Sequence, residues 1–237
     1  MVKALEVQAF GLENLAICER EVGAPAAGEV SVSVRSVSLN YRDYLMVTGG
    51  YNPRMAMPLI PCSDGAGLVT AVGEGVKGLN VGDRVCTTMV PDWEDGGLTG
   101  GMLRTTMGGP VDGMLCEQRN LPERALVKVP EYLSYSEAAC LPVAGLTAWS
   151  SLVSEGGIGA GDKVLLLGTG GVSIMALQIA KALGAEVVIT SGSDEKLARA
   201  KDLGADHVIN YKTTPAWGKA VLSIYPAGVD CTLEVGG

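Results

Sequence analysis

The chain has 237 residues, of which 47% are hydrophobic and 19% charged, with 33 glycines, one histidine and a formal net charge of −8. That length buries a core sufficient for one large domain or two modest ones. The acidic balance excludes a basic nucleic-acid footprint and is repelled by an anionic membrane surface, and a single imidazole, His207, excludes a metal site built on two or three histidines of one chain.

The first twenty residues carry Glu6, Glu13 and Glu19 and no long apolar stretch, so neither a signal peptide nor a transit peptide is read there. No apolar run is long enough for a membrane span. The six cysteines are scattered without a C-x-x-C pair, which suits reduced thiols in a cytoplasmic setting.

Residues 1–128 have the grammar of an all-β domain. Strands are predicted over 3–9, 30–38, 67–72, 84–90 and 126–129, separated by glycine turns, and Val30-Ser31-Val32-Ser33-Val34 alternates strictly, as a half-buried strand does. Residues 91–112 are rich in Gly, Met and Thr and unpatterned, and read as a long surface loop near a site or as a packing lobe. From residue 129 the period changes. A helix is predicted over 136–153, interrupted or restarted at Pro142. Strands at 163–167, 186–190, 207–210 and 229–235 then alternate with helices at 172–183 and 194–203, the pattern of a parallel sheet with right-handed crossovers. The chain stops after the fourth of these strands, short of a full doubly wound sheet, and is expected to be C-terminally incomplete.

The sharpest chemical signal is Gly168-Thr169-Gly170-Gly171-Val172-Ser173, directly after an apolar strand and opening a helix. Glycines there let the backbone turn tightly against a pyrophosphate, and the free N–H groups of the helix start donate to it. Ser173 stands where the motif's last glycine belongs and is small enough for close helix–strand packing. An acid at the end of the second strand would accept from the adenosine ribose and select NAD. Ser191 stands there instead, followed by Ser193 and Lys196, which suit a 2′-phosphate and favour NADP. The two serines also fit a plain helix-capping role, and Asp194 and Glu195 keep NAD open.

Ser38-Leu39-Asn40-Tyr41-Arg42-Asp43, Asp64-Gly65-Ala66-Gly67, Val81-Gly82-Asp83-Arg84-Val85, the 161–172 stretch and Gly204-Ala205-Asp206-His207-Val208-Ile209-Asn210-Tyr211 occur in an order that spans nearly the whole chain. In this the chain resembles the medium-chain dehydrogenase/reductase superfamily, in its zinc-free quinone-oxidoreductase-like and alcohol-dehydrogenase-like branch. The resemblance implies an α/β plus β fold: a GroES-like β-barrel catalytic domain over 1–128 and a partial Rossmann domain over 129–237, with the active site in the cleft between them. It also implies a small-molecule substrate and, in the complete family member, a homodimer.

Where zinc enzymes of the superfamily carry a Cys, a His and a second Cys on the metal, this chain has Asn40, Ser63 and Val143, so no zinc is expected. The resemblance assigns Asn40 to orienting a carboxamide or carbonyl and Tyr41 or Tyr44 to stabilising or protonating an oxyanion. Packing is the alternative for both tyrosines. It places Thr147 near the nicotinamide, Tyr211 by the adenosine phosphate, and Val235-Gly236 at the start of the nicotinamide-side wall. The implied activity is zinc-independent, NADP-dependent hydride transfer to or from a small carbonyl, enone or quinone. Two alternatives stand beside it: a fragment that binds nucleotide or a partner chain without turnover, and an NAD-dependent alcohol dehydrogenase-like enzyme.

Overall fold

Alternating side chains in the first half and alternating strands and helices in the second divide the chain into two compact units, Met1–Val143 and Ala144–Gly237. The computed structural model describes residues 1–236.

In the first unit, β1 (Val2–Val7) and β2 (Leu15–Arg20) form an antiparallel hairpin. β3 (Glu29–Ser38) is followed by a helix, α1 (Tyr41–Thr48), then by β4 (Asp64–Val72), β5 (Arg84–Thr87), β6 (Gln118–Pro122) and β7 (Leu126–Lys128). These five strands make an antiparallel sheet in the order β6-β3-β4-β5-β7. The valines of the predicted alternation, Val30 and Val32, are buried with Val69, Val85 and Leu121 in its core. The β3–β4 pairing slips register twice, and a Cβ on Gly67 would fall 2.3 Å from the Ser33 carbonyl oxygen. Only glycine lets the strands approach that closely at the bulge.

Three elements of this unit escape the sequence pattern. β2 exposes Ile17 (74%), and β6 is a polar edge strand ending at Pro122, so neither shows a clean apolar face. α1 is short, but its ends are marked: the Asp43 carboxylate accepts from the Asn40 N–H at 2.7 Å, and Gly49 closes it at φ 80°. The 91–112 segment contains one 3-10 turn, Met102–Thr105, and returns to the core at the fully buried Met107.

The predicted 136–153 helix is a composite. α2 (Tyr135–Ala139) is opened by a reciprocal cap between Ser134 and Glu137. A π-turn, Leu141–Gly145, takes up Pro142, then α3 (Leu146–Trp149) runs into a second π-turn, Ser150–Glu155. Pro142 lacks the N–H a tighter helix would use, so the backbone widens rather than breaking.

The second unit runs β8 (Lys163–Leu166), α4 (Gly171–Ala182), β9 (Glu186–Ser191), α5 (Asp194–Asp202), β10 (His207–Asn210), α6 (Trp217–Ile224) and β11 (Cys231–Leu233). The sheet is wholly parallel in the order β10-β9-β8-β11. Strand order reverses at β8, so the carboxyl ends of β8 and β11 flank a topological switch point of a Rossmann-like sheet. The apolar run of β8 explains its burial on both faces. α4 buries Ser173, Ala176, Leu177 and Ala180, one helical stripe of small and aliphatic residues. α6 escapes the sequence reading because it follows Pro215 and Ala216 with no side-chain cap. β11 is shorter than the predicted 229–235 strand. Among the described residues no helix is long and apolar enough to cross a membrane.

Asp206 ties this unit together at the other end of the sheet. Its carboxylate accepts from Lys181 Nζ and from the Val187 N–H, both at 2.7 Å, joining the end of α4 to β9. Burial alone would raise its pKa; the lysine and the backbone donor outweigh that and hold the carboxyl below its ordinary value. A depressed folded pKa gives stability that is present at neutral pH and lost on acidification through the carboxylate range, at about pH 4 and below. Asp206→Asn is therefore expected to lower the urea midpoint at pH 7 and to leave a smaller difference from wild type at about pH 3, as followed by far-UV circular dichroism.

Candidate functional site

In the second unit, the chain leaves β8 and turns through Gly168 and Gly170 into α4. Gly168 sits at φ 84°, which a side chain adopts only under strain. A Cβ on Gly168 or Gly170 would meet nothing within 4 Å, so this turn is open on its outer side. α4 begins without a side-chain cap, which leaves its first N–H groups unpartnered at the positive end of the helix dipole.

A cavity of about 350 Å³ adjoins the turn. Gly168, Thr169 and Gly170 form one wall. Ser191, Gly192 and Ser193, at the end of β9, form the second, and Lys196, Tyr211 and Lys212 the third. The walls are cross-linked: Thr169 Oγ1 and Ser191 Oγ lie 2.8 Å apart, and the Gly168 N–H donates to Thr190 Oγ1 at 3.1 Å. Ser193 Oγ accepts from the Lys196 N–H at 3.4 Å and so also caps α5. Ser173 is buried, and its hydroxyl donates to the Leu167 carbonyl at 3.1 Å, which satisfies the extra polar group where a glycine would carry none.

The two acids nearest this wall are engaged elsewhere. Asp194 Oδ1 accepts from Asn210 Nδ2 at 2.6 Å, and Glu195 pairs with Arg199 at 2.7 Å. Neither lines the cavity. Among the described residues Lys196 and Lys212 form no ion pair.

Gly192 and Lys212 are the two lining residues that sequence reading misses. A Cβ on Gly192 would press to 2.8 Å from Tyr211 Oη and 2.9 Å from Lys212 Cε, so the glycine makes room for both side chains. The only sequence signal is that Lys212 directly follows Tyr211 and that Gly192 lies between the two serines. Other expected residues are not brought to this cavity. Gly171 opens α4, and Val172 packs against the apolar core. Thr147 is half-buried on α3, and Val235-Gly236 continue beyond β11, with Val235 exposed.

In the first unit, Asn40, Ser63 and Val143 converge on one buried carboxylate. Asp64 is wholly inaccessible; Oδ1 accepts from Ser63 Oγ at 2.7 Å and Oδ2 from the Val143 N–H at 3.0 Å. Asn40 Nδ2 is buried beside this carboxylate and makes no hydrogen bond of ordinary geometry. Burial raises the pKa of Asp64, against the pull of Ser63, Asn40, the Val143 N–H and Arg42. Asp43 is buried as well, and its pKa is likewise raised, first by burial, against the Asn40 N–H and the Arg42 guanidinium 3.9 Å away. Arg42 reaches across to the 91–112 segment, donating to the carbonyls of Met107 at 3.2 Å and Gly109 at 2.8 Å.

Tyr41 and Tyr44 are not the buried packing residues that one reading of the sequence allows. They are 74% and 50% exposed, one turn apart on α1, with ring centroids 5.9 Å apart. The donors at positions 40, 63 and 143 are an amide, a hydroxyl and a backbone N–H, since valine has no ligating atom. Among the described residues no group of three His, Cys, Asp or Glu side chains is placed to hold a metal ion. This donor set does not fit a zinc centre, which takes thiolate, imidazole and carboxylate ligands in a tetrahedron.

Comparison with known proteins agrees with both halves of this architecture. The alcohol dehydrogenase GroES-like domain matches residues 26–131, and the zinc-binding dehydrogenase family matches residues 171–237. A zinc-type alcohol dehydrogenase-like protein of Schizosaccharomyces pombe is 45% identical over 213 residues, covering 89% of this chain and 62% of the relative. The chain thus spans about three fifths of the length of that relative. A crystal structure from Sinorhizobium meliloti 1021, assigned as an alcohol dehydrogenase, is 43% identical and superposes with a TM-score of 0.92 over 100% of this chain and 70% of its own. The quinone oxidoreductase of Escherichia coli, solved with NADPH, is 27% identical with a TM-score of 0.77, over 94% of this chain and 63% of its own.

The buried cluster has a chemical consequence at Cys62, which adjoins Ser63 at φ 71°, an unusual conformation for a residue with a side chain. Burial first, and then the charges of Asp43 and Asp64, push its thiol far above the ordinary cysteine range. A thiol so held has almost no thiolate. After a pulse of iodoacetamide at pH 8, the peptide carrying Cys62 is expected to be unmodified in the folded chain and modified in urea, as read by mass spectrometry.

Proposed function

The chain belongs to the medium-chain dehydrogenase/reductase superfamily, and from that premise we propose that it is a zinc-independent, NADP-dependent oxidoreductase acting on a small carbonyl, enone or quinone. The observation that carries the cofactor assignment is the cavity wall at Ser191, Lys196, Tyr211 and Lys212, which holds two lysines and no carboxylate. NADP differs from NAD by a phosphate on the adenosine ribose. A wall of hydroxyls and ammonium groups donates to that phosphate, whereas an acid in the same place would repel it. The acids that would suit a bare ribose, Asp194 and Glu195, do not line the cavity; Asp194 accepts from Asn210 and Glu195 makes an exposed pair with Arg199.

The remaining parts of the cofactor fit the same unit. The open turn at Gly168 and Gly170 admits a pyrophosphate to the backbone, and the uncapped start of α4 offers it N–H donors. When bound, the cofactor supplies or accepts the hydride. The protein's contribution is to hold, orient and exclude water. Zinc independence rests on positions 40, 63 and 143, which offer an amide, a hydroxyl and a backbone N–H but no thiolate, imidazole or carboxylate. Without a Lewis acid, a carbonyl already activated by conjugation is the easier electrophile, which favours an enone or quinone. Asn40, at the head of α1, is assigned to orienting the reacting molecule. Tyr41 and Tyr44, exposed on the next turn, are assigned to supplying a proton or hydrogen bond to the developing oxyanion. A cytoplasmic setting is proposed from the six unpaired cysteines, and a homodimer from the family.

Two measurements test this reading. In fluorescence titrations, Lys196→Ala is expected to weaken NADPH binding by about tenfold or more, the loss of one hydrogen bond to a charged group, and to leave NADH binding nearly unchanged. Tighter binding of NADH than NADPH by the wild-type chain would refute the cofactor assignment. In the second, NADPH consumption with a panel of enones and quinones is expected to persist after dialysis against a chelator, followed as absorbance at the nicotinamide band. Activity lost on chelation and restored by zinc would refute zinc independence.

A further inference from the structure

We propose that a cavity in the first unit, between the end of β2 and the edge strand β6, binds a small carboxylate with a hydrogen-bond donor on the neighbouring carbon, a 2-hydroxy or 2-amino acid. Arg119 holds the carboxylate and Asp112 takes the donor. The inference is independent of the cofactor and zinc assignments.

The cavity measures about 260 Å³. That is below the range of about 300–1,000 Å³ that takes drug-sized molecules, so its occupant is small. Arg119, on β6, and Asp112, at the end of the 91–112 segment, both line it. Arg119 is partly buried, and its Nη1 donates to the Gly113 carbonyl at 2.6 Å. Its Nε and Nη2 make no hydrogen bond among the described residues, and neither atom is enclosed. Those two nitrogens form the edge of a guanidinium that grips a carboxylate with two parallel bonds. Arg119 forms no ion pair among the described residues either. Burial first holds its pKa below the ordinary arginine value, against the charge of Asp112. A guanidinium keeps its proton regardless, so it stands as a cation without a bonded counter-charge.

Asp112 does not supply that counter-charge directly, since it stays beyond the ion-pair reach of about 4 Å. Its Oδ1 accepts from the Ile60 N–H at 2.9 Å, while its Oδ2 takes no donor and is not enclosed. On the same wall the Asn120 amide donates to the Gly23 carbonyl at 3.0 Å, which leaves its oxygen buried and without a partner. One cavity thus holds a two-pronged donor without an acceptor and two acceptors without a donor. A group that completes both must accept from Arg119 and donate toward Asp112. The wall charges narrow the choice. Arg20 pairs with Glu6, Glu21 adds a carboxylate, and Cys116 adds no charge at neutral pH because burial pushes its thiol up to about 11. With two wall acids against one free cation, a doubly charged phosphate or sulfate is disfavoured. A single carboxylate matches the guanidinium edge, and a hydroxyl or ammonium beside it answers Asp112.

The test uses the whole chain labelled with ¹⁵N-arginine, with the Arg119 Nε–H resonance identified by its loss in Arg119→Lys. Sodium lactate and alanine are expected to shift that resonance saturably and to bind about tenfold more tightly than acetate, the worth of one further hydrogen bond to a charged group. Sodium chloride at the same ionic strength should not reproduce the shift. Asp112→Asn, which keeps an acceptor for the Ile60 N–H, should bring lactate and alanine down to the affinity of acetate. A response to only one of the two acids supports the proposal and identifies the donor as a hydroxyl or an ammonium. No saturable shift with either acid up to about 0.1 M, a hundredfold above a millimolar dissociation constant, overturns it. So does a shift that sodium chloride reproduces, acetate binding as tightly as the responding acid, or inorganic phosphate binding more tightly. Should Arg119→Lys fail to fold, the resonance is assigned through its bonds to the wild-type backbone, and the wild-type titrations decide.

Discussion

A buried carboxylate cannot borrow hydrogen bonds from water, and the first unit is arranged around that constraint at Asp64. Its two oxygens draw in a neighbouring hydroxyl and a backbone N–H from a segment far along the chain. A second buried acid, Asp43, accepts at one oxygen from the Asn40 N–H at the start of α1, while its other oxygen has only the Arg42 guanidinium 3.9 Å away. The Arg42 guanidinium lies between this acidic pair and the 91–112 segment and donates to two carbonyls there. Removing one member of such a set leaves the others buried and unpaired, which costs more than the contact itself contributes. The polar cluster is therefore also a structural clamp, joining β4, α1, the returning loop and the π-turn.

The second unit solves the opposite problem. There the backbone is left deliberately open: a turn of glycines and an uncapped helix expose N–H groups that the fold itself does not satisfy. The parallel sheet makes this possible, because β8 is buried on both faces and ends at the switch point, where strand order reverses. On the proposed reading, the side chains at the end of β9 and after β10 select the anion that those groups receive. Among the described residues the two lysines there form no ion pair, and no acid lines the cavity with them.

Legibility differed between the units for a physical reason. β8, α4, β9 and α5 were readable to within a few residues because a doubly covered parallel sheet writes long apolar runs and capped, striped helices. β2 and β6 were not, because edge strands carry mixed faces that alternation does not reveal. α1 leaves no clear apolar stripe in the sequence although Asn40, Asp43 and Gly49 mark its ends, because its burial serves polar groups as much as apolar ones. In the candidate site, the glycine turn, Ser191, Ser193, Lys196 and Tyr211 were all named from sequence, and they line one cavity. Lys212 and Gly192 carry no signal in the sequence because neither belongs to the motif: Gly192 acts by making room, and Lys212 reaches the cavity from across the turn after β10.

The sequence by itself determined the class of fold, the glycine turn after a buried strand and the absence of a histidine-rich ligand set, since these depend on local periodicity and on residue types that no folding can change. Only the tertiary structure decided that Ser63 and Val143 share one carboxylate, that Asp194 and Glu195 do not line the cavity, and that Tyr41 and Tyr44 are exposed. Those are relations between distant segments, and a hydrogen bond between residues remote in sequence leaves no pattern along the chain.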